Sequence, residues 1–274
     1  MKLKALNQLT ELPDKEKMPV LFLGHGSPMN AIEENEFVHG FRKVGQEINK
    51  PRAIICISAH WETKGTYVTA MDNPKTIHDF RGFPPELFNV QYPAPGSPEL
   101  AKETKKMISK ANIKLDEHWG LDHGAWSVIK HLYPNADIPT IQLSLDYSQT
   151  AQYHFELARE LYTLRHKGIL IIGSGNMVHN LGMVAWNRLS GDPYAFDWAR
   201  EANEKMKSKI LINDVQSLID YEKQGSAFAL AIPTPEHYLP LLYALALKDK
   251  DDEITLFNDQ PVGGSISMTS VIFE

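Results

Sequence analysis

The chain is poor in the features that would place it outside the cell interior. It has one cysteine, Cys56. A lone thiol closes no internal disulfide, which fits a reducing compartment. Lying inside the apolar run Ala53 to Ser58, Cys56 reads as a small buried hydrophobe rather than a nucleophile. No run of about 18 apolar residues occurs, so no segment is expected to span a membrane. The start, Met1-Lys2-Leu3-Lys4 followed by Glu11, Asp14 and Glu16, lacks the apolar stretch of a signal peptide. Positive charge is also short: 28 Lys and Arg against 34 Asp and Glu give a formal net charge of -6. That leaves no basic footprint for nucleic acid or an anionic membrane. The expectation is a cytoplasmic protein with neither as a partner, working as a monomer or small homo-oligomer. Familiar catalytic motifs are missing too. No Gly-x-Ser-x-Gly elbow is present. Gly24-His25-Gly26-Ser27 is followed by no Lys-Ser/Thr pair, and Gly173-Ser174-Gly175 is only half of a dinucleotide loop.

What the chain does have is an ordinary globular composition, 43% apolar and 23% charged over 274 residues. Short apolar runs alternate with longer amphipathic stretches. This predicts an α/β fold, a single domain whose central sheet is largely parallel and covered by helices. The whole of residues 1–274 is expected to form one catalytic domain, with 1–17 as an N-terminal extension. Strands are predicted at Pro19 to Gly24, Ala53 to Ser58, Thr66 to Ala70, Thr140 to Leu145, Gly168 to Gly173, and in the tail at Ile254 to Phe257 and Ser265 to Phe273. Ala227 to Ile232 is a possible further strand. Helices are predicted at Glu34 to Asn49, Pro98 to Ala111 (capped by Ser97), Ala125 to Tyr133, Ala151 to Leu164, much of 193–222, and an amphipathic one at Glu236 to Leu247. Residues 72–98 carry six prolines and read as a long irregular loop, the kind that in compact domains is usually functional.

The eleven histidines hold most of the functional information. His25 directly follows the first strand, His60 the second, and His179 the glycine-rich strand ending at Gly173. Open α/β sheets bind ligands outside the carboxyl ends of their strands, so these three can converge on one crevice. His237, in Pro233-Thr234-Pro235-Glu236-His237, and His123, in Leu121-Asp122-His123-Gly124, stand at loop-to-helix junctions. Imidazoles gathered this way predict a metal site, and imidazole alone does not choose among Zn, Fe, Cu and Ni. Glu236 is either a carboxylate ligand or a first-turn acid that suits the helix dipole. Asp122 either orients an imidazole or caps the following helix. His78 in the proline-rich loop is a candidate for lining the pocket. His39, His131, His154 and His166 read as surface residues.

Five motifs in order, GHGSP, SAHW, LDHGAW, GSGNMVHN and PTPEHYLP, with the loop segments HDFRGFPPELF and QYPAPGSP, resemble the class III extradiol ring-cleaving dioxygenases in their DOPA dioxygenase-like branch. The resemblance runs from about Pro19 to Phe273. It implies a metal-dependent enzyme with Fe(II) that opens a small DOPA-like catechol beside its diol using O2. By motif, His25, His60 and His237 would be metal ligands, His237 standing where the wider family has a carboxylate. His179 would be the catalytic base or a fourth metal ligand, and His123 a catalytic pocket histidine. Such an all-nitrogen set also takes Zn(II) readily. Trp61, Phe83 and Tyr92 are expected to bind the substrate ring. The rival readings are a zinc-dependent hydrolase, with His179 and the metal activating water, and a non-catalytic metal-binding relative.

Overall fold

The computed structural model describes residues 17–189 and 192–274. The expected N-terminal extension lies, up to residue 16, outside the described residues. Six strands make the central sheet: β1 (Val20–Gly24), β2 (Ala53–Ser58), β3 (Thr140–Gln142), β4 (Ile169–Gly175), β5 (Ile254–Phe257) and β6 (Ser270–Phe273). Their order is β3-β2-β4-β1-β6-β5. The first four are mutually parallel. The tail then adds β6 antiparallel to both β1 and β5. Strands β1, β2 and β4 are buried along their whole length, as apolar strands covered on both faces must be. Alternate residues feed two cores. Val20, Phe22, Ile55, Ile57 and Ile171 face one; Leu21, Leu23, Ile54, Cys56 and Ile172 face the other.

Among the described residues, the longer helices that cover the sheet are α1 (Glu36–Glu47), α2 (Pro98–Met107), α3 (His123–Leu132), α4 (Ala151–Arg159), α5 (Asp197–Leu211), α6 (Ser226–Ala231) and α7 (Leu239–Leu247). α1 and α3 pack on the Leu21 face; the other five pack on the Val20 face. Among the described residues, no helix is long and apolar enough to cross a membrane.

Three local expectations change. The run Ala227 to Ile232 is not a strand, because its alanines close the short helix α6. α7 is not amphipathic: eight of its nine residues are buried, since it lies between the sheet and α4 and has almost no wet side. It also starts three residues later than expected. Tyr238 and Leu239 bond back to Pro235 O in a tight turn, which leaves His237 ahead of the helix.

His131 and His154 were expected on the surface, and both are buried. His131 donates from Nε2 to Asn30 O at 2.7 Å. His154 donates from Nε2 to Asp146 O at 3.2 Å and accepts at Nδ1 from the Tyr243 hydroxyl at 3.0 Å, tying α4 to α7. Burial brings its pKa down to about 4, against a smaller opposing pull from Asp146. Because the folded value lies below the unfolded 6.5, the unfolded chain takes up this proton first as pH falls. The stabilisation is complete above pH 6.5, declines between 6.5 and about 4, and does not fall further. It amounts to about 3 kcal/mol. Urea unfolding of the metal-free protein across this range is expected to show a pH slope about one proton steeper than that of His154→Gln. Equal slopes would contradict this.

Candidate metal centre

The sheet register sets the centre. In the parallel ladder, Gly24 pairs with Gly175 and Ser58 with Ser174, so β1 and β2 end level with each other on either side of β4. The backbone amide of His25 still bonds to Gly175 O, and that of Ala59 to Ser174 O, each at 3.0 Å. The next residues, His25 and His60, therefore leave the sheet together over the end of β4. Gly175 is needed there for lack of a side chain: a Cβ would stand 2.1 Å from the carbonyl oxygen of His237. That close approach seats the Pro233–Tyr238 turn on the strand end, with Asn176 N bonding His237 O at 2.8 Å. Gly124 does the same for the start of α3, where a Cβ would meet Ser58 Oγ and His60 Cδ2.

Three rings meet above these ends. Their centroids are 5.0 Å apart for His25 and His60, 5.3 Å for His25 and His237, and 5.1 Å for His60 and His237. Imidazoles sharing one tetrahedral metal at a bond length of about 2.0 Å put their centroids about 5 Å apart. Two further histidines flank the triangle at closer range. His123 lies 3.8 Å from His60 between centroids, and His179 stacks on His237 at 3.5 Å and 11°. Ligand atoms of His25, His60 and His123 lie within 4.8 Å of one another, as do those of His179, Glu236 and His237. Rings nearly parallel at 3.5 Å do not aim two lone pairs at one metal, so the 5 Å triangle is the set with the spacing of shared ligands.

Each ring of the triangle has a partner at Nδ1. Ser174 Oγ donates to Gly124 O at 2.5 Å, so at 3.0 Å it accepts from His25 Nδ1. Asp79 Oδ2 stands 3.2 Å from His60 Nδ1. Glu236 Oε1 accepts from His237 Nδ1 at 3.0 Å and from Thr234 Oγ1 at 2.9 Å. With the protons held at Nδ1, the Nε2 lone pairs turn inward, and those of His25 and His60 face each other at 3.2 Å. Two lone pairs at that distance repel unless a cation lies between them. A proton on His25 does not serve at neutral pH. Burial, reinforced by His60, His237, His123 and His179, holds the His25 pKa well below its ordinary value, and burial and then His179 do the same to His237. The donor set therefore fits a metal ion.

The flanking groups are also tuned. Burial takes His179 down to about 4, with Glu236 pulling the other way, so it is neutral at pH 7. Burial lowers His123 as well, ahead of His60, while Asp79 and Asp122 oppose. Burial alone would raise Asp79, but His123 and His60 outweigh it and hold its carboxyl well below the usual range.

Some expected residues have other work. Asp122 is the cap of α3, accepting from Ala125 N, and its carboxylate also takes Ser58 Oγ at 2.6 Å and Gln142 Nε2 at 2.7 Å. His78 donates to Val90 O at 3.0 Å and packs among Phe80, Phe88 and Trp126, which anchors the loop. Tyr92 is not placed to bind substrate: it is buried, and its hydroxyl donates to Tyr133 O, at the opposite end of α3 from His123. Trp61 is buried and stacked on Trp119 at 5.8 Å and 4°, supporting the start of α3. Phe83 packs on Phe80, and Phe80 is the ring that meets His123, edge-on at 5.5 Å. Asp79 and Phe80 were both missed, although they directly follow His78 in a loop marked as functional.

The profile of the catalytic LigB subunit of aromatic ring-opening dioxygenase matches residues 19–266. The chain belongs to this family. Among LigB-type relatives, the 4,5-DOPA dioxygenase extradiol of Escherichia coli (strain K12) is 46% identical over 260 residues, 93% of this chain and 94% of that protein. The protein of the same name from Beta vulgaris is 35% identical over 262 residues, 92% of this chain and 95% of that protein. The crystal structure of uncharacterized protein JW3007 from Escherichia coli K12 superposes with a TM-score of 0.81 at 42% identity, covering 94% of this chain and 100% of that one. This LigB enzyme is thus a metal-dependent, extradiol, aromatic ring-opening dioxygenase, and the hydrolase and non-catalytic readings are set aside.

Proposed function

We propose that the enzyme opens a small DOPA-like catechol beside its two hydroxyls, placing both atoms of O2 in the product, with iron(II) held by His25, His60 and His237. The facing Nε2 atoms of His25 and His60, 3.2 Å apart with their Nδ1 atoms already engaged, carry this reading. Its substrate class follows the name shared by the relatives from Escherichia coli and Beta vulgaris. Iron(II) supplies the electron exchange between catechol and O2.

The chain's own groups handle position and protons. Glu236, Asp79 and Ser174 keep the three imidazoles in the Nδ1–H form. His179, neutral at pH 7, takes the proton of the second catechol hydroxyl. His123, on the opposite flank beside His60, turns its Nε2 to the substrate from the other side and accepts a hydrogen bond from it, while the proton taken up by His179 is returned for ring opening. Phe80 flanks the substrate ring and keeps water from that side. Zn(II) suits the same three nitrogens and would occupy them without supporting O2 chemistry.

Protein loaded anaerobically with iron(II) is expected to consume O2 when given DOPA or 4-methylcatechol, while the zinc-loaded protein stays silent. Equal rates from the two forms, or none from iron, would overturn the proposal.

A further inference from the structure

We infer that Asp79 is a positioning residue that sets two imidazoles at once, the metal-facing His60 and the substrate-facing His123. The roles given to those histidines rest on the proposed function, but the geometry does not. Oδ2 of Asp79 stands 3.2 Å from His60 Nδ1. Oδ1 stands 2.9 Å from His123 Nδ1 and also accepts the backbone N–H of His123 at 2.9 Å. The His123 ring N–H lies off the line to Oδ1, so Nδ1 is buried without a formed hydrogen bond. A lone pair on Nδ1 would nevertheless face a carboxylate oxygen at 2.9 Å, and the repulsion excludes that tautomer. Both rings therefore keep a proton on Nδ1 and turn Nε2 to the cavity.

The other imidazoles of the triangle have separate partners, Ser174 for His25 and Glu236 for His237. Among the described residues, Asp79 alone serves two of the site's rings, which lie 3.8 Å apart between centroids. The task needs a carboxylate. Ionised Asp offers two acceptor oxygens, whereas Asn offers one oxygen and a donor that would confront the second N–H. The loop that carries Asp79 is pinned for it: Ile77 N bonds Leu121 O at 2.7 Å and Leu121 N bonds Lys75 O at 2.9 Å, beside the start of α3. Phe80, the next residue, meets the His123 ring edge-on, so one dipeptide holds that imidazole at two points.

The test begins with nitrogen NMR of zinc-loaded protein labelled with 15N at histidine, compared with His60→Ala and His123→Gln for assignment. Both His60 and His123 are expected in the Nδ1–H form; an Nε2–H signal from either one overturns the inference with no Asp79 variant required. In Asp79→Asn, at most one ring keeps that form, and zinc affinity falls about 10–100-fold through His60. Unchanged tautomers and affinity would contradict the inference. With saturating iron(II) and 4-methylcatechol, Asp79→Asn lowers kcat by a smaller factor in a His123→Gln background than in the wild-type background, because the part of its effect that runs through His123 is already gone and only the part through His60 remains. Losses that multiply in full would show that none of the effect of Asp79 on kcat runs through His123 and would overturn the shared role. If wild-type protein turns over no catechol, the functional reading fails, while the tautomer and zinc results still decide the part played by Asp79.

Discussion

His25→Ala, His60→Ala and His237→Ala are each expected to lose stoichiometric metal, with zinc affinity down by more than about 100-fold. Glu236→Gln is expected to retain the metal with a loss of about 10–100-fold. The contrast follows from where the groups point. The three imidazoles stand at about 5 Å from one another with their Nδ1 protons committed outward. Removing one takes away a donor atom and leaves a buried gap. Glu236 instead faces His237 Nδ1 at 3.0 Å, where it fixes the tautomer and raises the basicity of the ring. Its loss loosens His237 but leaves three nitrogens in place. Competition against a chromophoric chelator measures all four. Metal kept by His237→Ala and lost by Glu236→Gln would make the carboxylate the ligand, as in the wider family.

His179→Gln is expected to keep its metal and lose about 10²–10⁴-fold in kcat, the usual worth of a positioned proton-transfer group. The ring lies nearly parallel to His237 at 3.5 Å, so it borders the cavity without joining the triangle. Its backbone is anchored from two sides: His179 N bonds Ala231 O at 2.9 Å, and Asn180 N bonds Ser265 O at 3.0 Å. The imidazole is therefore presented on a fixed frame rather than a swinging loop. Burial keeps it neutral and ready to accept a proton at pH 7. A kcat within about 3-fold of wild type would remove His179 from the mechanism. A matching loss of metal would make it a fourth ligand.

The sheet and the placing of the histidines were largely legible in the sequence, because both follow from local pattern. Apolar runs such as AIICIS specify doubly covered strands, and a histidine directly after such a run has to emerge at the carboxyl edge. The partners of those histidines were not legible. Asp79 reaches His60 and His123 only because a proline-rich loop is pinned beside Leu121, a long-range event with no periodic signature. Glu236 beside His237 left two assignments open, and only the 3.0 Å contact to Nδ1 distinguishes an orienting group from a donor. The aromatic residues misled for a related reason. Residue type marks Tyr92 and Trp61 as ring binders, but packing commits the first to Tyr133 O and the second to Trp119. Gly173-Ser174-Gly175, which looks like part of a dinucleotide loop, instead has its glycines where the Pro233–Pro240 segment presses against β4.

Both oxygen atoms of O2 are expected to enter a catechol whose ring opens beside the diol. Iron(II)-loaded protein turning over DOPA or 4-methylcatechol under 18O2, with the product trapped and analysed by mass spectrometry, measures this directly. The expected product is a ring-opened semialdehyde carrying two labelled oxygens, allowing for exchange of the aldehyde oxygen with water. An intact ring, or a product oxidised without any label, would contradict it.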